Sequence, residues 1–180
     1  LWAISKNRQI YFYWIGSEVY RKPQNTRFKR LYLRLAQSPR VQHMCGAHWF
    51  VEPLKSLGID ATCLLFPYDT FSAKLHAADW PTAPQLHAVT YLTPSHWKNS
   101  NGQWIADAAR KYPSTTWTII GMSPGQAPET LKALENVTLA GWVKNPAQIM
   151  AQAHLFVRLT HHDAYAGTVR DAQTMRRIVI

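Results

Sequence analysis

Long apolar runs are missing from this sequence. No stretch of its 180 residues approaches the roughly 18 to 20 consecutive apolar residues that cross a bilayer. No secretory leader is visible either, so a soluble, cytoplasmic chain is expected. Cysteine is scarce: Cys45 and Cys63 are the only two, far apart and without metal-ligand spacing. That argues against a disulfide framework and leaves reduced packing residues as the expectation. Acids are few, ten Asp and Glu against twenty Lys and Arg. The formal charge of +10 favours an anionic partner: nucleotide, phospholipid surface, acidic glycan or nucleic acid. The chain starts at Leu1 without Met and stops in the apolar Ile178-Val179-Ile180, so an internal fragment of a longer protein is expected.

What is present suffices for a globular fold. With 47% hydrophobic residues and eight Trp, the chain can bury a sizeable core in one or two domains. Ile10–Ile15 reads as a buried strand ending at Gly16-Ser17-Glu18, a turn at the carboxyl end of a strand, where open α/β sheets place ligands; Gly16 and Ser17 are therefore candidate cleft residues. Residues 21–40 carry seven Lys or Arg interleaved with Phe28, Leu31, Tyr32, Leu33 and Leu35, and no acid. A basic amphipathic helix fits, and such helices lie on anionic membrane surfaces; the plainer reading is a solvated helix face. Val41–Cys45 reads as a strand, Trp49–Leu57 as a helix closed by Gly58-Ile59 in the manner of a Schellman end, with Pro53 either in its first turn or kinking it, and Ala61–Pro67 as a further strand. Strand, helix, strand implies a parallel sheet. Periodicity fails from Pro67 to Pro84, placing a domain boundary near residue 83.

The alternation is clearer beyond it. Strands are predicted over 86–92, 116–120, 137–143 and 155–160. Helices are predicted with a face of Trp104, Ile105, Ala108, Ala109 and Tyr112, over 129–134, and from an Asn145-Pro146 cap to Ala153. The order β-α-β-α-β-α-β-loop-α-β is half of a doubly wound sheet, with its ligand crevice at the carboxyl ends of the strands.

One stretch falls in that crevice, His161-His162-Asp163-Ala164-Tyr165-Ala166-Gly167-Thr168-Val169-Arg170-Asp171. Gly167 lets backbone approach a ligand, and the first amides of a helix starting at Thr168 have no intrahelical partner, so together they can receive a phosphate. Asp163 and Asp171 bracket the turn, eight residues apart, where they could accept hydrogen bonds from sugar hydroxyls. The plainer reading is that Thr168-x-x-Asp171 is a capping box that ties down a helix start. A metal site at His161-His162-Asp163 is disfavoured, because adjacent side chains of extended backbone point apart and no helical His-x3-His is present.

Asp163-x7-Asp171 followed by Ala172-Gln173-Thr174-Met175-Arg176-Arg177-Ile178-Val179-Ile180 resembles the signature segment of retaining glycosyltransferases of family 4, a Glu-x7-Glu motif with an Ala-Met-Ala-x-Gly-x-Pro-Val-Ile tail. Asn136–Val143 resembles that family's Asn-Val-x-Phe-x-Gly-x-Val strand, Ile119-Ile120-Gly121 its Ile-Val-Gly, and Trp14-Ile15-Gly16-Ser17-Glu18-Val19 a Trp-Ile-Gly-Thr-Asp-Val segment of its N-terminal domain. The resemblance implies an α/β, GT-B-like fold of two Rossmann-like domains, both incomplete: residues 1–83 as the end of the acceptor domain plus linker, residues 84–180 as the donor domain. It implies sugar transfer with retention from a nucleoside-diphosphate sugar to an acceptor, with no cofactor and no metal; the basic stretch at 21–40 points to a glycan or lipid-linked acceptor. Asp163 would face the donor sugar and Asp171 the ribose, while Gly167, Thr168 and Val169 would hold the diphosphate. Gly121 and Val143 would complete the donor-binding set.

Three departures lie in that segment. Both acids are Asp, Arg176 stands where Gly ends the helix, and Ile178 replaces Pro. A fourth follows the strand at 86–92, where the family's Arg-x4-Lys pair becomes Thr93 and Lys98. His96 or Arg158 could supply the missing charge to stabilise a leaving diphosphate. The competing readings are a nucleotide-sugar epimerase of the same architecture, and a basic module binding nucleic acid or acidic glycan. Nucleic acid is not the expected partner, since no recognition motif accompanies the basic stretch. A hydrolase using the two acids is disfavoured, because eight helical residues would separate them by roughly 12 Å, beyond the reach of such pairs.

Overall fold

Residues 8–16, 19, 34–65 and 77–180 are described in the computed structural model. The chain divides into two compact units, Leu1–Pro67 with His162–Tyr165, and Tyr68–His161 with Ala166–Ile180. Ser17 and most of the basic stretch at 21–40 lie outside the described residues.

In the first unit, β1 (Ile10–Trp14), β2 (Val41–Cys45) and β3 (Ala61–Cys63) pair in that order, all parallel. A 3₁₀ turn at His48–Phe50 leads into α1 (Val51–Lys55) between β2 and β3. Pro53 is the third residue of α1, where a missing N–H costs nothing. Gly58 ends this turn at φ 72°, with Gly58 N–H donating to Lys55 O at 2.9 Å and Ile59 N–H to Leu54 O at 3.1 Å, the expected Schellman pair. The core gathers Trp14, Cys45, Phe50, Leu54 and Ile59. His43 is buried within it, accepting from the Trp14 indole at Nδ1 and donating from Nε2 to Ala36 O at 2.7 Å. Two expectations need correcting. The strand at 10–15 is not buried: β1 is an edge of this sheet, with Tyr11 65% exposed. The strand expected over 61–67 stops at Cys63, and Leu64 and Leu65 are exposed.

The second unit follows the predicted order: β4 (His87–Tyr91), α2 (Gly102–Lys111), β5 (Thr116–Ile120), α3 (Glu129–Lys132), β6 (Val137–Gly141), α4 (Pro146–Ala151), β7 (Leu155–Val157), α5 (Gly167–Thr174) and β8 (Ile178–Val179). The sheet is parallel throughout, in the order β6-β5-β4-β7-β8. Alternation along the strands feeds two cores. Ala88 and Leu92 face Ile105, Ala109, Trp117 and Leu131 on one side, while Val89 faces Met150, Phe156, Ala172 and Met175 on the other. Helices therefore cover both faces, as an all-parallel sheet requires. The predicted face of α2 is corrected: Trp104 and Tyr112 are exposed, and the buried stripe is Gly102, Ile105, Ala106 and Ala109. Those positions follow i, i+3, i+4, i+7. Asn145 and Pro146 take the cap and first positions of α4, although no side-chain cap bond forms.

Helix α5 ends in a second Schellman motif, Arg177 N–H donating to Ala172 O and Arg176 N–H to Gln173 O, both at 2.9 Å. Arg176 takes the left-handed position at φ 59°, the conformation that favours glycine. Arg176→Gly is expected to stabilise the fold by about 1 kcal/mol, raising Tm by roughly 2–4 °C. Urea and thermal unfolding of the two proteins check this.

Candidate functional site

The order β6-β5-β4-β7-β8 reverses direction between β4 and β7. The loops leaving the carboxyl ends of neighbouring strands part company at such a point and open a crevice. The residues of this unit that follow β4 and β7 include those the sequence singled out: Thr93 to Lys98 on one side, Arg158 to His161 and Ala166 to Asp171 on the other. The two loops are hydrogen-bonded to one another. His161 N–H donates to Asn99 O at 2.9 Å, and the Asn101 side-chain amide donates to Leu159 O at 3.0 Å.

On the β4 side, Thr93 is buried and a 3₁₀ turn over Pro94–His96 follows it. Thr93 Oγ1 lies 2.8 Å from His96 Nδ1, and Ser95 Oγ 3.2 Å from the same nitrogen. Hydroxyls able to donate to Nδ1 favour the imidazole with its proton on Nε2, the outer nitrogen of an exposed side chain. Lys98 is exposed and lines a cleft of about 520 Å³ with Ser95, Trp97, Met122 and Gln126, a size suited to small ligands. Gly121, at the end of β5, has φ 92°, and a Cβ there would sit 2.9 Å from Tyr91 and 3.1 Å from Thr93. Packing alone accounts for this glycine.

On the β7 side, Gly167 is the first residue of α5 and Ala166 its cap, with no side-chain cap bond. The capping-box reading fails here: Thr168 is already helical and Asp171 is the fifth residue of the helix. With the box unmade, the amides at Gly167 and Thr168 remain the positive end of the helix dipole. Asp171 is half-buried, and burial raises its carboxyl above the ordinary 3.8, with the Arg170 charge pulling it back. Asp163 packs with the first unit, where its carbonyl accepts from the Trp49 indole at 2.8 Å and Ala164 joins the apolar core. Gly16 also lies in the first unit, in the turn after β1.

A further group was not visible in the sequence. Trp142, just past β6, is 74% exposed and meets the Tyr91 ring edge-on at 5.9 Å. The Arg158 guanidinium lies 5.8 Å from the centre of that same ring. Three strand ends thus contribute to one aromatic and cationic platform. Val143 beside it is partly buried against the core. The available sequence signal was an aromatic residue directly after a strand-end glycine, a pattern too common to single out.

Among the described residues, no helix is long and apolar enough to cross a membrane, and no group of three or more His, Cys, Asp or Glu is placed to hold a metal ion. No protein-family model matches the sequence, and no curated protein matches it. The fold is nonetheless shared with solved GT-B glycosyltransferases. S. aureus TarM, in a variant bound to fondaparinux, α-GlcNAc-glycerol and UDP, is 14% identical over 97% of this chain and 36% of its own, with a TM-score of 0.69. Anabaena HepE bound to UDP-glucose is 12% identical over 98% of this chain and 54% of its own, with a TM-score of 0.71. The pneumococcal O-GlcNAc transferase GtfA, bound to UDP and GlcNAc, is 11% identical over 95% and 37%, with a TM-score of 0.59. The chain therefore spans between 36% and 54% of the length of these proteins. It has the α/β, GT-B-like architecture expected from the sequence.

Because burial raises the Asp171 carboxyl, the folded state holds that proton to higher pH than the unfolded chain does. Stability is then lost as pH rises through the window above 3.8. Asp171→Asn is expected to raise Tm at neutral pH and to leave it unchanged below 3.8, as thermal unfolding across pH would reveal.

Proposed function

We propose that this chain is part of a GT-B glycosyltransferase that transfers a hexose with retention from a nucleoside-diphosphate sugar, a UDP-sugar, to a glycan or lipid-linked acceptor. The observation that carries this reading is the switch-point crevice between β4 and β7. A lysine follows β4 on one side of it, and a helix start without a side-chain cap bond and a half-buried carboxyl follow β7 on the other. The solved proteins that share the fold with UDP or a UDP-sugar bound support the choice of base.

In this reading the chain's task is mostly electrostatic. As the bond from the anomeric carbon to the diphosphate oxygen breaks, Lys98 and the amides of Gly167, Thr168 and Val169 stabilise the charge developing on the leaving group. His96 supplies an additional donor, and no metal takes part. Asp171 accepts from the ribose hydroxyls and holds the nucleoside in register. Asp163 orients the donor sugar. Trp142, with Tyr91 beneath it, stacks on the uracil, and the backbone around Val143 and Gly121 shapes the pocket. Gly16 and Ser17 belong to the acceptor side. The basic stretch 21–40 would add peripheral contact with an anionic membrane or glycan at the cytoplasmic face.

Calorimetric titration of UDP, GDP and ADP into the chain, and into Asp171→Ala, Lys98→Ala and Trp142→Ala, tests the reading. UDP should bind best. Each substitution should weaken it roughly tenfold, as expected for losing a charge-assisted hydrogen bond of about 1.5–3 kcal/mol or a stacking contact of about 1–3 kcal/mol. A folded chain that binds no nucleotide, yet binds oligonucleotides with a steep salt dependence, would overturn it.

A further inference from the structure

Cys45 and Cys63, far apart in sequence, end β2 and β3, and the parallel register sets them directly opposite one another. Neighbouring strands lie about 4.8 Å apart and register partners point to the same face. That spacing falls within the roughly 4.4–6.8 Å between Cα atoms that a disulfide spans. Both thiols are free. Their surroundings differ: Cys45 is fully buried in the first unit's core, its thiol donating to Ala47 O at 3.4 Å, while Cys63 is partly exposed at the margin of that core. Burial pushes the Cys45 thiol up, and the adjacent Cys63 adds to the shift. Sheltered and reachable sulfurs thus stand side by side, and the pair has more to it than the packing role expected from the sequence.

We propose that Cys45 and Cys63 form a peroxide-responsive dithiol, with Cys63 as the sulfur attacked by oxidant and Cys45 as the sulfur that resolves it into an intramolecular disulfide. The Cys63 thiolate attacks one oxygen of hydrogen peroxide, the O–O bond breaks, and with one proton taken up the products are the sulfenic acid and water. The Cys45 sulfur then displaces that hydroxyl, the Cys45 proton leaves with it as a second water, and the S–S bond forms. One peroxide is reduced and two thiols are oxidised. The ladder continues past the pair, Leu64 N–H donating to Cys45 O at 2.9 Å, so the strands cannot rotate freely towards relaxed disulfide geometry. A bridge made under that restraint is a readily reduced one, which suits reversible control over permanent stapling. Both sulfurs lie at the carboxyl ends of their strands, the end of a parallel sheet at which ligands bind.

The reduced 180-residue chain, and its Cys63→Ser and Cys45→Ser variants, would be exposed to hydrogen peroxide at low protein concentration. Free thiols would be counted after denaturation, and intact and peptide masses read without reductant. The expected result is a monomer that loses both thiols and two hydrogens, with a Cys45–Cys63 linked peptide that dithiothreitol reverses. Cys63→Ser should keep its buried thiol, oxidising at least tenfold more slowly, and Cys45→Ser should stop at an oxygen adduct on Cys63. Oxygen accumulating on Cys63 of the unsubstituted chain while Cys45 stays free, or a bridge found only between chains, would overturn the proposal. The linked-peptide mass on the unsubstituted chain decides this even where a variant does not fold.

Discussion

Arg177 is 4% exposed, and the hydrogen bonds of its guanidinium go to backbone carbonyls: Nε to Met175 at 2.7 Å, Nη1 to Ala153 at 3.1 Å, Nη2 to Ala78 at 2.6 Å and Asp79 at 2.7 Å. Two of these carbonyls follow the last turns of α5 and α4, where the helix dipoles place partial negative charge. The other two belong to the segment that leads into β4. One buried cation therefore ties two helix ends and the entering chain together, and Trp80 closes over it at 5.6 Å while its own ring meets His154 at 5.3 Å. Burial lowers the Arg177 pKa and the nearby Asp79 charge raises it; a guanidinium stays ionised throughout. The direction of α5 is fixed from this end, and its other end opens on the crevice. The second unit also begins before residue 83 for this reason: residues 78–80 are bound to it through Arg177.

The crevice has a different charge layout from the one its resemblance implies. Where the family has an arginine, Thr93 is 7% exposed and its methyl group lies beside Gly121, so the position is occupied by packing. Thr93 contributes its hydroxyl to His96, an exposed imidazole two residues before Lys98. A permanent cation is thus exchanged for an oriented donor. The nearest Arg after β7, Arg158, is engaged with the Tyr91 ring. Positive charge is spread over several strand ends, to which the amides at Gly167 and Thr168 add the positive end of a helix dipole.

Much of this could be read beforehand, and the limits of the reading have physical causes. Strand and helix order in the second unit followed from apolar runs alternating with period-3.6 segments, because a sheet covered on both faces demands continuous apolar strands. The Gly58 turn was legible because glycine followed by an apolar residue has one common use at a helix end. Exposure was less legible. Tyr11 and Trp104 are apolar enough to pass for core, but which strand lies at an edge and which way a helix faces are tertiary facts. The capping box at Thr168 and Asp171 was a true pattern without the geometry, since the helix begins at Gly167 and its cap position falls on Ala166. The pairings of Cys45 with Cys63 and of Trp142 with Tyr91 join distant residues, and no local pattern announces them.

The two departures at the end of α5 compensate one another. Arg176 takes a left-handed conformation that costs a non-glycine residue about 1–2 kcal/mol. Two residues on, Ile178 stands where the resembling sequences have proline, and its N–H donates to His154 O at 3.1 Å. Proline has no such N–H. A hydrogen bond of that kind contributes about 0.5–1.5 kcal/mol, comparable to the strain at Arg176. It also starts the pairing of β8 with β7, which places Ile178 opposite Leu155. Between the two sits Arg177, whose side chain turns inward because the chain reverses at Arg176. The left-handed residue is thus held by its neighbours on both sides: the guanidinium locks the turn, the Ile178 amide locks the strand, and the position between helix and strand keeps the shape of a glycine turn without the glycine.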